Sequence, residues 1–418
     1  MTGLKILISS SYYWPEEAGS APYLTGLAEH LSASGHDVVV ATGFPHYPDW
    51  RSGAQGRLAA SETQNGVRII RRWHYVPRTQ SAAQRAAYEL SLLGSGATTL
   101  LKRWRPEVVV GTCPSLAGGV LAAAAGRRYR VPYGLVFQDL MGRAAEQSGV
   151  SGGERVAGIV RNIELRLARG AKAVGVIAEN FRSYLEEGGV RPADVWRLRN
   201  WTHRVEPEEP RAQTRERYGW GQSQFVCLHG GNMGQKQGLD NLLDAAELLR
   251  DTDVRIALVG DGNDRARLER EAHARGLANV DFIGMQMPGE WEAILEAADV
   301  LIVNQRASVT DMSLPSKLTS YFAAGRPVIA AASAESETAD EMEAAGAGAV
   351  VPPGEPAALR DAILTLRDDG SGAASHAASA RAYAEGTLSS DAALADYDRF
   401  IAFLVGEPAS APQRPASA

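Results

Sequence analysis

The residues whose chemistry is easiest to read lie in the run Leu228-His229-Gly230-Gly231-Asn232-Met233-Gly234-Gln235-Lys236-Gln237-Gly238, after an apolar strand-like stretch. Its glycines loosen the backbone, and the reading places Lys236 at the start of the next helix. A cation there opposes the helix dipole, so helix stability alone does not account for it, whereas an anionic phosphate in the same spot would. A second segment, Asp311-Met312-Ser313-Leu314-Pro315-Ser316-Lys317-Leu318, feeds a loop into a helix with proline near the first turn. Free amides at Ser313, Leu314 and Ser316 suit a phosphate or a sugar hydroxyl, with Asp311 as an acceptor for hydroxyls. A third, Pro15-Glu16-Glu17-Ala18-Gly19-Ser20-Ala21-Pro22, puts Gly19 at a strand-to-helix turn, where backbone amides approach an anion. It is not a G-x-G-x-x-G fingerprint, which argues against a nicotinamide or flavin site. Asp251-Thr252-Asp253 has a metal-binding look, but it ends a helix before a strand and reads as a solvated turn.

Short β-branched runs alternating with longer helical patterns must position these segments, a sign of parallel sheets with crossover helices. The first half reads as strand 5–10, helix 21–34, strand 37–42, a Pro-rich loop, strand 67–75, helix 83–102, strand 107–111 and helix 116–129. Strand 133–137, helix 154–169, strand 173–178, a short helix 181–187 and strand 195–199 complete it. Residues 200–215 are polar and aperiodic and read as a linker. The second half reads as strand 225–228, helix 238–249, strand 255–259, helix 265–275, strand 280–282, helix 289–298 and strand 300–303. Helix 316–324, strand 328–331 and helices near 338–345 and 357–366 follow. The division expected is 1–200, 201–390, a last helix over 391–405 that crosses back to the first domain, and a disordered tail over 406–418. Ligands of doubly wound sheets bind at the carboxyl ends of the strands, so a cleft shared by both sets of ends is the expected site.

With 418 residues the chain exceeds one ordinary core, and its 45% hydrophobic and 22% charged composition is that of a globular protein. No stretch is apolar for long enough to span a bilayer, and no signal peptide is visible, so a cytoplasmic location is expected. Two cysteines, Cys113 and Cys227, build neither a disulfide framework nor a zinc site. Residues 1–200 carry 24 Lys and Arg against 16 Asp and Glu, while residues 201–418 carry 19 against 33. The basic half offers Arg68, Arg71, Arg72, Lys102, Arg103, Arg105, Arg127, Arg128 and Arg130 as a face for an anionic membrane surface or a phosphorylated acceptor.

The order and spacing of Gly231…Lys236-Gln-Gly, Val259-Gly-Asp-Gly262, Phe282-Ile-Gly-Met285, Ala298-Asp-Val300 and Leu314-Pro-Ser-Lys-Leu318…Ala323-Ala-Gly-Arg-Pro-Val328 go beyond the individual pieces. Together with Tyr13-Trp-Pro-Glu16 and Gln138-Asp-Leu140, they resemble the retaining family four glycosyltransferases. Within these the chain is most similar to the colanic-acid-biosynthesis type of bacterial enzyme, over almost its whole length to about residue 405.

The resemblance implies a GT-B fold of two Rossmann-like domains facing a central cleft, and hexosyl transfer from a nucleotide-diphosphate sugar to a hydroxyl, with no metal or other cofactor. No nucleic acid is implied as a partner. On that basis Lys236 binds the donor diphosphate beside Gly231 and Asn232, the latter standing where many relatives carry arginine. Gly19 lets a loop close over the phosphates, Met285 and Gln286 lie against the base, and Asp311 to Ser316 with Lys317 hold the sugar and β-phosphate. Asp139 and Gln138 become candidates for assisting catalysis. Met312 and Ser320 stand where many members carry two glutamates, and Gln138 where many carry histidine. Ser320 therefore offers the ribose a weaker contact, and the nucleotide base stays open. The acceptor is a lipid-linked glycan or a small natural product. Two rival readings are a nucleotide-sugar 2-epimerase of the same fold and a catalytically silent nucleotide-sugar-binding subunit.

Overall fold

The computed structural model describes residues 3–17, 19–47, 50–78, 81–101, 104–113, 115–142, 153–203, 205–306 and 317–408, with the backbone alone at 101, 153–156 and 236. The segment Asp311 to Ser316, Lys102, Arg103 and the tail from 409 lie outside the described residues. The chain divides into two compact units, 1–200 with 393–418, and 201–392.

The first unit is built on strands β1 (Lys5–Ser9), β2 (Asp37–Gly43), β3 (Ala59–Gln64), β4 (Val67–Arg72), β5 (Val108–Cys113), β6 (Tyr133–Phe137), β7 (Ala173–Val176) and β8 (Val195–Arg197). Their order is β3-β4-β2-β1-β5-β6-β7-β8. All pairs are parallel except β3 with β4. Central strands such as Ile6-Leu7-Ile8 and Val38-Val39-Val40 are buried along their length, as a sheet covered on both faces requires. The covering helices are α1 (Ala21–Ala33), α2 (Ala82–Ala97), α3 (Leu116–Tyr129), α4 (Gly153–Gly170) and α5 (Glu179–Glu187).

The second unit has helix α6 (Arg211–Arg217), then β9 (Phe225–Asn232), α7 (Asp240–Leu248), β10 (Val254–Asp261), α8 (Arg265–Ala274), β11 (Val280–Ile283), α9 (Glu290–Ala297) and β12 (Val300–Asn304). It continues with α10 (Lys317–Ala324), β13 (Val328–Ala331), α11 (Glu337–Ala345), β14 (Gly348–Val351), α12 (Pro356–Asp368) and α13 (Gly370–Glu385). The six-stranded sheet runs β11-β10-β9-β12-β13-β14, with every pair parallel. Two apolar clusters hold it: Leu228, Val259, Leu301 and Phe322 share one, and Ile256, Leu258, Ile302 and Leu242 the other. The final helix α14 (Ser390–Val405) joins the first unit from Ala393 onward. There Phe400 meets the ring of Trp196, and His30 reaches the Asp398 carboxylate at 2.9 Å.

Four elements depart from the sequence reading. The edge strand β3 falls in the expected loop because its residues are mostly exposed and show no apolar alternation. Edge strand β14 escapes because its apolar run, Gly348–Val351, is only four residues long with a single buried position. Helix α6 occupies the end of the supposed linker, where Arg211 and Arg215 both bind the Asp299 carboxylate. Helix α13 is rich in Ala, Gly and Ser and buries only Ala380 and Ala384, too narrow a stripe to stand out. A fifth correction bears on chemistry: Lys236 is not at a helix start. It lies in a single 3-10 turn, Gln235–Gln237, and α7 begins only at Asp240.

Candidate functional site

In the second sheet the strands after β9 are added first on one side, as β10 and β11, and then on the other, from β12. The carboxyl ends of β9 and β12 therefore flank the switch point, where open α/β sheets leave a crevice. The glycine run closes β9 at this place. Gly260, paired with Gly231, has φ +132°, and a Cβ on it would lie 2.0 Å from the Gly231 carbonyl oxygen. Only glycine lets the two strand ends come this close. Across the switch point Asn304 ends β12, and its amide donates to the carbonyls of Gln237 and Gly238 at 2.7 and 2.9 Å. Asn241 donates in turn to the Asn304 Oδ1 at 2.7 Å. These two asparagines pin the turn that carries Lys236.

Lys317 opens α10 over the same strand end. Its Nζ lies 3.3 Å from His229 Nε2 and 3.3 Å from Gln237 Oε1, and a Cβ on Gly231 would stand 4.0 Å from it. Among the described residues no carboxylate pairs with it. Burial alone pushes its amine down to about 8. His229 is fully buried, its Nδ1 3.0 Å from the Ile302 carbonyl. Burial first, and the Lys317 charge second, push its pKa well below the usual histidine value. An ammonium with only neutral acceptors around it keeps its charge available to an incoming anion.

Of the remaining expected donor residues of this unit, those that the structure describes fall around that crevice or on the next strand end. Asn232 is exposed at the end of β9, and its carboxamide lies near Gly234 and Gly262. Ser320 is partly buried one turn into α10. Met285 is 72% exposed beyond β11. Gln286 is already engaged, its Oε1 accepting from Tyr218 at 2.8 Å and its amide donating to the Gly284 carbonyl at 3.0 Å. Asp251 and Asp253 are exposed, and Asp253 pairs with Arg367 at 3.0 Å.

In the first unit Gly19 is exposed with φ +64°, and a Cβ on it would meet the Tyr47 ring at 3.4 Å. Its loop is anchored from behind. Glu16 accepts from the amides of His46 and Tyr47, both at 2.8 Å, and Arg71 donates to the Trp14 and Gly43 carbonyls. Arg71 is 4% exposed and ion-paired to Glu62, so it leaves the basic face proposed from sequence. Gln138 continues β6, its backbone N–H donating to the Cys113 carbonyl at 2.7 Å and its side chain accepting from Asn200 at 2.9 Å. Asp139 accepts from the Leu140 amide at 2.8 Å.

Sequence reasoning passes over several residues here. Glu164 of α4 takes the amides of Met141 and Gly142 at 2.8 and 2.9 Å, just beyond Asp139, and burial drives its pKa up to about 7. A carboxylate in register with the buried positions Ala157, Leu165 and Ala168 is the available signal. His46, held on the Tyr88 hydroxyl at 3.1 Å, stacks on Tyr12 beside Tyr47, Trp50 and His74, and burial lowers its pKa to about 3. These aromatic residues come from four separated stretches, and no local pattern joins them.

Comparison with known proteins bears on the family and the fold. Residues 224–369 match the family of glycosyl transferases group 1, and residues 18–201 match the glycosyl transferase 4-like domain. The colanic acid biosynthesis glycosyl transferase WcaI of Escherichia coli (strain K12) is 31% identical over 94% of this chain and 98% of its own. A GDP-mannose-dependent alpha-mannosyltransferase of Mycobacterium tuberculosis (strain CDC 1551 / Oshkosh) is 26% identical over 64% of this chain and 66% of its own. Among solved structures, Anabaena Alr3699/HepE in complex with UDP superposes with a TM-score of 0.71 at 18% identity, covering 96% of this chain and 100% of that one. The chain belongs to the group 1, 4-like family of glycosyltransferases and has the GT-B fold.

Proposed function

We propose that this enzyme transfers a hexose, with retention at the anomeric carbon, from a nucleotide-diphosphate sugar to the hydroxyl of a lipid-linked glycan. The observation that carries the reading is the Lys317 ammonium, held by neutral acceptors over the glycine-lined end of β9. Breaking the bond between the anomeric carbon and the diphosphate loads negative charge onto the leaving group. Lys317, Lys236 and the amides of the 311–316 loop take up that charge without a metal. Gly231 and Asn232 border the diphosphate, Met285 and Gln286 the base, and Ser320 the ribose. Gly19 lets its loop approach the phosphates, while Gln138 and Asp139 orient the sugar or the acceptor, with no obligatory covalent intermediate.

The lipid-linked acceptor rests on α2. Its outward positions Ala82, Ala83, Ala86, Ala87, Leu90, Gly94 and Ala97 are uncharged, and Leu90 is 67% exposed. Arginines gather at its carboxyl end: Arg72 binds Thr98 at 2.8 Å, and Arg105 and Arg128 both act on the Tyr129 phenol, which donates to the Leu100 carbonyl. An apolar face ending in cations suits the inner face of an anionic bilayer. Such contact is peripheral, since no described helix is long and apolar enough to cross a membrane.

The test is a thermal-shift panel of UDP, GDP, dTDP and their sugars, with and without EDTA. One base series at about 100-fold its Kd is expected to add about 2.7 kcal/mol, unchanged by the chelator. If no nucleotide stabilises the protein, the donor reading fails. If EDTA removes the shift, metal-independence fails.

A further inference from the structure

His229 has no assigned role, yet it is fully buried beside the crevice. The parallel ladder between β9 and β12 pairs Cys227 with Val300 and Leu228 with Leu301, and goes no further. At the next residue the strands part, and the His229 imidazole bridges them, its Nδ1 3.0 Å from the Ile302 carbonyl. A carbonyl can only accept, so Nδ1 carries the proton and Nε2 presents a lone pair. That lone pair faces Lys317 Nζ at 3.3 Å, and the ammonium donates to it.

We infer that His229 is a positioning residue, a neutral acceptor of fixed tautomer that aims the Lys317 ammonium at the donor diphosphate without cancelling its charge. A carboxylate at this site would hold the lysine more strongly but would compete with the diphosphate for it. An apolar residue would leave the ammonium free to turn away. Gln237 supplies the second neutral contact from the turn. The other described polar groups facing the pair fit the same logic. The Tyr321 hydroxyl of α10 accepts from the Gly230 amide at 2.7 Å, and burial keeps that phenol protonated. Arg306, past β12, lies against Gly238 and adds positive charge. Asn304 and Asn241 are occupied with each other and with the turn. His229 itself stays neutral, since burial and the adjacent ammonium both oppose its protonation.

This inference rests on the donor reading above, and its test separates the two. His229→Gln keeps a neutral acceptor, His229→Leu removes it, and His229→Glu replaces it with a charged one. Titration calorimetry with UDP and with GDP gives affinity. Relative to wild type, the Gln variant is expected to stay within about threefold, the Leu variant to lose about tenfold, and the Glu variant to lose more than the Leu variant. Titration of the Lys317 amine followed by NMR, with no nucleotide present, supplies a second readout. The Leu variant is expected to lower its midpoint, the Glu variant to raise it, and the Gln variant to leave it near wild type. A merely structural histidine would change melting temperature in all three without ordering them this way. Equal affinities and equal lysine midpoints for the Gln and Glu variants would overturn the role, and this pair carries the test if the Leu variant fails to fold. Wild type binding neither UDP nor GDP would instead overturn the donor reading, whatever the lysine titration shows.

Discussion

The strand ends of the two units handle charge in opposite ways. At the end of β9 a cation meets no carboxylate among the described residues and is steadied by an imidazole and a carboxamide. At the strand ends of the first unit, buried or half-buried carboxylates are steadied by backbone amides: Glu16 by His46 and Tyr47, Glu89 by Ala117, and Glu164 by Met141 and Gly142. The first arrangement leaves a positive charge unspent and suits an anion. The second consumes its charges in shaping loops and leaves an aromatic lining of Tyr12, Tyr47 and Trp50. On the function proposed above, the nucleotide diphosphate goes with the one and the acceptor hydroxyl with the other.

The contrast breaks most easily at its backbone. Alanine at Gly260 would place a Cβ 2.0 Å from the Gly231 oxygen at φ +132°. Gly260→Ala is expected to cost the second unit about 3–4 kcal/mol in urea unfolding, the size of a strained backbone position combined with a clash. A loss below about 1 kcal/mol would show that the two strand ends can part, and that the glycine-lined floor is not rigid.

Lys317 comes next. Removing one charge-assisted contact to the departing diphosphate is worth about 2–3 kcal/mol, so Lys317→Ala should lower kcat/KM by about 30- to 150-fold. Lys236→Ala is expected to cost at least about tenfold on the same scale. Because the ammonium must be charged to bind, and its amine titrates at about 8, donor affinity in the wild type should fall as pH rises through that value. Unchanged kinetics in the alanine variant would move the diphosphate away from β9.

The same asymmetry explains what can be read from the chain before folding. The second unit's crevice takes its floor from a glycine run at one strand end, so Gly231 and Lys236 stand out in the sequence, while Lys317, about 80 residues further on, is picked out only by the family resemblance. The alternation of strands and helices is equally plain, because buried parallel strands such as Val38-Val39-Val40 are apolar throughout. Asn304 and Asn241 are invisible, since each acts across the sheet on a turn far away in sequence. His229 reads only as the flank of a glycine run, its significance lying in the Ile302 carbonyl opposite. In the first unit Arg71 counts as surface charge until burial ties it to Glu62. Edge strand β3 is mostly exposed and cannot be told from loop, and the apolar run of β14 is only four residues long.

Glu164 sharpens the comparison from the other side. Its folded pKa of about 7 stands above the ordinary glutamate value of 4.5, because burial disfavours the carboxylate despite two amide donors. The folded state therefore holds the proton more tightly than the unfolded state. The stability this gives is complete below pH 4.5 and is lost as pH rises to about 7. Glu164→Gln should remove that slope, flattening urea stability between those limits by about 3 kcal/mol. A slope that survives the substitution would assign the titration to another group.

The smallest effect is expected at the α2 face, where two forces should separate cleanly. Insertion of Leu90 into the interfacial region gains about 1 kcal/mol, so Leu90→Ala should weaken sedimentation with anionic vesicles about fivefold, with little dependence on salt. Arg105→Gln and Arg128→Gln each remove about 1 kcal/mol of headgroup attraction, and that share should vanish as ionic strength rises to about 0.5 M, a level that shortens the Debye length to about 4 Å. Both effects vanish together on neutral vesicles only if the arginines must bring the apolar face to the surface first. If the leucine change alone persists there, the face binds by itself, and the basic excess of the first half serves the acceptor's own phosphates.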